Sequence, residues 1–162
     1  MKKLQYSLLA VLAGFGLLAC DNSIDKTFDD KTVVEFQQAV TLTPAVGRTY
    51  PLVSVPLSAT VTTAQAAPQV NLVGRQRSSE TAVRVSVDKE NTTAVEGTHF
   101  TLANGGTVTF APNSSTAAAG VTFTRVAADA GKTLNVVLIL EGNGSDISPS
   151  ENYKKIGYTV RQ

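Results

Sequence analysis

From Ala82 to Asp88 the chain alternates, with Val83, Val85 and Val87 on one side and Arg84, Ser86 and Asp88 on the other. A period of two marks a strand with one buried face. Residues 52–62 repeat the pattern: Val53, Val55, Leu57, Ala59 and Val61 share a side. Pro56 falls opposite, which suits an edge strand, where a missing N–H costs least. Residues 133–140 differ. Leu134, Val136, Leu138 and Leu140 line one face, but Val137 and Ile139 fill the other. A strand apolar on both faces belongs in the middle of a sheet, covered on both sides. Shorter runs at 33–36, 69–73, 120–126 and 155–160 read as further strands, and 41–48 as one broken by Pro44 and Gly47. The runs 98–102 and 107–111 meet across Asn104-Gly105-Gly106, residues that adopt positive φ cheaply, which predicts a β-hairpin. Residues 64–68, 112–120 and 142–150 read as connectors and loops by composition. No helical period persists. The expectation is an all-β, antiparallel, immunoglobulin-like sandwich of about seven strands.

The first residues follow a different logic. Lys2 and Lys3 precede an apolar run from Leu8 to Leu18 that is short for a membrane span and stops abruptly at Leu17-Leu18-Ala19-Cys20. That ending resembles the lipobox of bacterial lipoproteins. The resemblance implies a signal peptide over residues 1–19 and lipid attachment at Cys20, whose thiol would form the thioether. With more than one acyl chain the anchor is stable, since each buried methylene contributes about 0.8 kcal/mol. Residues 20–31 are polar and acid-rich, the composition of a tether. Their acids also resemble the export signal of surface lipoproteins of the Bacteroidetes, although Lys26 interrupts the run; a plain solvated linker fits equally. The domain then occupies residues 32–162.

Composition narrows the classes. A chain of 162 residues less a 19-residue leader leaves one domain, large enough to bury a core without staples. Cys20 is the sole cysteine, so no intramolecular disulfide is available. Fourteen basic against thirteen acidic side chains give no basic face for nucleic acid. The single local cluster, Arg75-Gln76-Arg77, suits a solvated turn.

Two segments then suggest a family. Glu96-Gly97-Thr98-His99-Phe100 followed by Gly106-Thr107-Val108-Thr109-Phe110 resembles the Calx-beta pattern. With Val70 to Gly74 and Ser150 to Val160 it also resembles the Calx-beta-like sandwich domains of uncharacterised Bacteroidetes lipoproteins. The resemblance covers about the last hundred residues and implies fold rather than activity. Calx-beta modules of the exchanger type bind calcium through clustered loop carboxylates, and His99 stands here where their pattern has Asp. Calcium takes six to eight oxygens, whereas Asp88, Glu90, Glu96, Asp129, Glu141 and Asp146 are spread singly over different loops.

Catalytic chemistry is poorly provided. His99 is the only histidine, placed by its pattern in a strand and without a nucleophile elbow nearby. One His and a lipidated Cys do not make a zinc site. Gly142-Asn143-Gly144 lacks the lysine and helix of a phosphate loop. The expectation is therefore no catalytic, metal or cofactor residue and no cofactor. The chain reads as a non-enzymatic binding or accessory module, held at the outer membrane through the lipid on Cys20 and facing the cell surface or the periplasm. A protein or a glycan would be its partner. Tyr50 and Tyr153 are the loop-edge tyrosines and there is no Trp, so stacking platforms for sugars are scarce. Two alternatives stand beside it: a structural subunit of an outer-membrane uptake complex with no ligand of its own, and a calcium-binding Calx-beta module.

Overall fold

The computed structural model describes residues 31–162. The leader, Cys20 and nearly all of the tether lie outside the described residues. Twelve strands form among the described residues, more than the seven expected. In chain order they are β1 (Thr32–Phe36), β2 (Leu52–Pro56), β3 (Thr63–Ala66), β4 (Gln69–Val73), β5 (Thr81–Val87), β6 (Phe100–Leu102), β7 (Thr107–Phe110), β8 (Thr116–Ala118), β9 (Val121–Thr124), β10 (Thr133–Gly142), β11 (Ile147–Pro149) and β12 (Lys155–Arg161). One five-residue helix, α1 (Gln37–Thr41), follows β1.

Part of the excess is arithmetic of interruption. β4 pairs with β8 and β3 with β9 in the same antiparallel register, and between them Ala119 N–H donates to the Pro68 carbonyl at 3.0 Å. The two pairs are one long ladder bent where Pro68 removes a donor. β8 and β11, by contrast, formed inside segments read as loops, because pairing with β4 and β1 orders residues whose composition is that of a turn.

With that ladder joined, one layer runs β11-β1, then β4 with β3, then β8 with β9, then β6; the other runs β2-β12-β10-β5-β7. Side chains of both layers make a single apolar cluster, including Val34, Phe36, Val70, Val85, Phe100, Phe110, Phe123, Leu138 and Ile156. Most pairs are antiparallel. β1 with β11 and β12 with β2 are parallel, so the sandwich is mixed rather than wholly antiparallel. β2 is an edge strand, as Pro56 required, and it stops there; Ala59 and Val61 are exposed.

The hairpin expected across Asn104-Gly105-Gly106 is not present. β6 pairs with β9 in one layer and β7 with β5 in the other, so the turn carries the chain between layers. The local chemistry was nevertheless the one the residues favour: Asn104 (φ 50) and Gly105 (φ 59) are left-handed. Gly106 is required for space as well, since a Cβ there would sit 2.2 Å from the Val85 carbonyl oxygen.

β10 holds the middle position, between β12 and β5. Its first face (Val136, Leu138, Leu140) is fully buried. On the second, Val137 is covered but Ile139 is only half-buried, because no further layer packs there. Beyond the end of β5 the ladder is completed by the loop that follows it. Asp88 N–H donates to the Val137 carbonyl, the Thr92 hydroxyl accepts from Val137 N–H, and the Thr93 hydroxyl accepts from Asn135 N–H. Threonine side chains thus stand in for a missing strand.

Candidate functional site

Immediately after β1 the chain abandons the sheet. Gln37, Gln38 and Ala39 are good helix formers, Ala39 is the helix residue that packs inward, and the backbone is extended again at Leu42, two residues before Pro44. Val40 and Leu42 are thereby turned outward. Across from them runs the segment before β12. It is tied to the sandwich by Ser150 N–H to the Val34 carbonyl (2.8 Å), Phe36 N–H to the Tyr153 carbonyl (2.9 Å) and Leu140 N–H to the Lys154 carbonyl (2.9 Å). Between the two walls lies a groove of about 480 Å³, lined by Val40, Leu42 and Pro44 on one side and Tyr153, Lys154 and Lys155 on the other. Thr49 and Lys155 connect it to a second hollow of about 470 Å³ at Val46, Arg48 and Tyr50.

Exposure singles this surface out. Seven large hydrophobic side chains are exposed among the described residues, and four of them line these two hollows: Val40 (43%), Leu42 (44%), Val46 (104%) and Tyr153 (38%). Clustered exposed apolar side chains mark an interaction surface, whereas scattered ones need no explanation.

The charges around it are graded. Lys155 Nζ is held 2.7 Å from Asp88 Oδ2, and Asn91 donates to the same oxygen at 2.9 Å. Burial opposes ionisation of Asp88, but the hydrogen bonds from Lys155 and Asn91 outweigh it and hold the carboxyl below its usual range. Lys154 is only loosely paired with the exposed Glu151, at 3.5 Å. The Arg48 guanidinium lies 5.5 Å from the centre of the Tyr50 ring and donates to its hydroxyl. Tyr50 itself is buried (4%), so it orients Arg48 rather than forming the exposed loop-edge platform expected; Tyr153 is the exposed tyrosine.

Other candidates are less promising. A hollow of about 390 Å³ between Arg84, Thr107 and Gly142–Gly144 includes no exposed large hydrophobic residue, and its Glu141 accepts from the Ser86 hydroxyl. His99 lies in the turn before β6, not in a strand, and is buried. Its Nδ1 accepts from Val95 N–H at 2.9 Å, which leaves Nε2 to donate to Asp129 at 2.8 Å. Both ring nitrogens are committed to joining two turns. The hydrogen bond from Lys132, with that from His99, lowers the Asp129 pKa. Hydrogen bonds from Asn143 and Arg77 pull Asp146 down to about 2. Among the described residues no three of His, Cys, Asp and Glu gather as a metal-holding group. Asp88 and Asp146 each carry a basic partner from a distant part of the chain, Lys155 and Arg77, and Asp129 pairs with Lys132 three residues on. Nor is any helix among the described residues long and apolar enough to cross a membrane.

Solved structures share this architecture. A candidate carbohydrate-binding protein from Bacteroides ovatus superposes with a TM-score of 0.55 at 13% identity, over 80% of this chain and 36% of its own. The apo-form Calx CBD1 domain gives 0.54 at 11% identity, over 81% of this chain and 96% of its own. The CBD12 pair of Calx gives 0.51 at 12% identity, over 79% and 44%. The fold is Calx-beta-like. This chain spans about a third of the length of the Bacteroides ovatus protein and nearly all of the single Calx domain. No family model and no curated protein matches the sequence.

The groove was not legible as a site. Residues 41–48 read as a strand broken by Pro44 and Gly47; Leu42 and Val46 lie within it and Val40 just before it. The available signal was Pro44 and Gly47 interrupting that apolar run, since residues unable to stay in a strand leave their hydrophobic neighbours unpaired.

Proposed function

We propose that this chain is a lipid-anchored, non-enzymatic binding module, tethered to the outer membrane through Cys20 and facing the cell surface. The observation that carries the reading is the groove between α1 and the segment before β12 together with the hollow adjoining it, where four of the seven exposed large hydrophobic side chains among the described residues collect. Its walls are fixed by backbone hydrogen bonds, so little ordering is required when a partner binds. The commitment of His99 to structural bonds supports a binding role over an enzymatic one. The leader and the Ala19-Cys20 junction support the anchor. The likeness to a candidate carbohydrate-binding protein agrees with a binding module, but Val40, Leu42 and Val46 are aliphatic, which favours a protein over a sugar.

Purification of the full-length protein from its native membrane in mild detergent tests this. A partner should co-purify with the unaltered chain and be lost with Leu42→Asp, while Cys20→Ser should release the chain from the membrane. Membrane retention of Cys20→Ser would contradict the anchor, and co-purification indifferent to Leu42→Asp would contradict the groove.

A further inference from the structure

Resting on that reading, we infer that the groove takes an extended protein segment in which apolar side chains are flanked by carboxylates. Two independent features of the surface lead there. Its exposed apolar residues, Val40, Leu42 and Val46, are branched aliphatics with one tyrosine beside them. Such a surface buries leucine-like side chains well and offers a sugar ring a single aromatic face.

The second feature is charge. The two connected hollows are lined by Arg48, Lys154 and Lys155 against Glu151, an excess of two positive charges. Residues 31–162 together carry eleven basic and nine acidic side chains, so this one surface holds an excess as large as that of the whole described domain. The three cations are not equal. Lys155 is already held by the nearly buried Asp88. Arg48 and Lys154 are the ones a ligand would meet: Arg48 oriented by Tyr50, Lys154 held only by the exposed Glu151. A guanidinium oriented in advance favours a planar carboxylate, which it can bind through two parallel N–H donors. Carboxylates on either side of an apolar run would therefore meet Arg48 at the outer hollow and Lys154 at the inner wall. Complementary charge of this kind chiefly sets register and rejects basic competitors.

Selection from a displayed library of short random peptides on the full-length protein tests the inference, with charge composition as the readout. The enriched peptides should combine Asp or Glu with Leu, Ile or Phe. Their affinity should fall about tenfold or more with Arg48→Glu or Lys154→Glu, and should weaken as salt rises. Lys154→Glu changes a partly exposed wall residue whose backbone bond is unaffected, so retained folding, checked by circular dichroism, separates lost binding from lost structure. Enrichment of basic or uncharged peptides, no enrichment at all, or affinity unchanged by both charge reversals would overturn the inference. Binding of an oligosaccharide such as maltohexaose that Leu42→Asp abolishes would likewise overturn the acidic-segment partner while leaving the groove as a binding site. Indifference of every probe to Leu42→Asp would remove both.

Discussion

His99 shows how a residue typed for chemistry can be consumed by architecture. Its ring bridges the Val95 turn and the Asp129 turn, with each nitrogen occupied. His99→Leu keeps the volume roughly and removes both bonds, taking its partner from the Val95 N–H. A hydrogen bond of this kind contributes about 0.5–1.5 kcal/mol. Denaturant unfolding should register that loss, and hydrogen exchange at the Val95 amide should accelerate; an unchanged exchange rate would contradict the bridging role. Asp146 works on the same scale through its ionisation. Hydrogen bonds from Asn143 and Arg77 depress its pKa from 3.8 to about 2 in the folded state. A depressed carboxyl contributes stability that is complete above its unfolded value and disappears as pH falls through the folded one. Asp146→Asn should therefore be less stable than the parent at neutral pH, with the gap closing between pH 3.8 and about 2. A gap that persisted at the acid end would mean that the ionised carboxylate held by Asn143 and Arg77 is not its source. These two residues also mark a limit of reading: the acids and the histidine were visible, but their partners lie far along the chain, at Arg77 for Asp146 and Asp129 for His99.

At the scale of the element, periodicity served well where one strand keeps one environment. β5 buries Val83 and Val85 and exposes Arg84, and β10 sits mid-sheet as its two apolar faces required. It served poorly where pairing, not composition, makes the strand. β8 and β11 consist largely of Ala, Thr, Ser and Pro, and they exist because β4 and β1 offer a ladder. The hairpin across Asn104-Gly105-Gly106 failed for a related reason. A left-handed turn reverses the chain locally, but which sheet receives the next strand is decided by long-range packing. β10 also refines the expectation of equal burial on both sides. Truncation of the buried Leu138 to Ala should cost about 2–5 kcal/mol. Ile139→Ala should cost clearly less, since Ile139 faces a side with no second layer. Equilibrium denaturation of the two variants compares them directly, and equal losses would show that the second face is covered after all.

At the scale of the whole molecule, sequence and structure agree on a Calx-beta-like sandwich, and the structure adds a groove to which the sequence did not point. The fold was legible because alternation and turn residues are local signals. The groove was not, because it joins α1 with the segment before β12, more than a hundred residues away, and no local pattern reports that meeting. The account as a whole stands on this groove being the surface that touches a partner in the cell. The most direct measurement places a photo-crosslinking amino acid at Val40 and at Tyr153, in the groove, and at the exposed Val73 and Thr109, away from it, in the full-length lipidated chain. Irradiation of intact cells should give discrete crosslinked species from Val40 and Tyr153 and none of the same mass from Val73 or Thr109. Crosslinks distributed evenly over all four positions, or confined to Val73 and Thr109, would contradict the account.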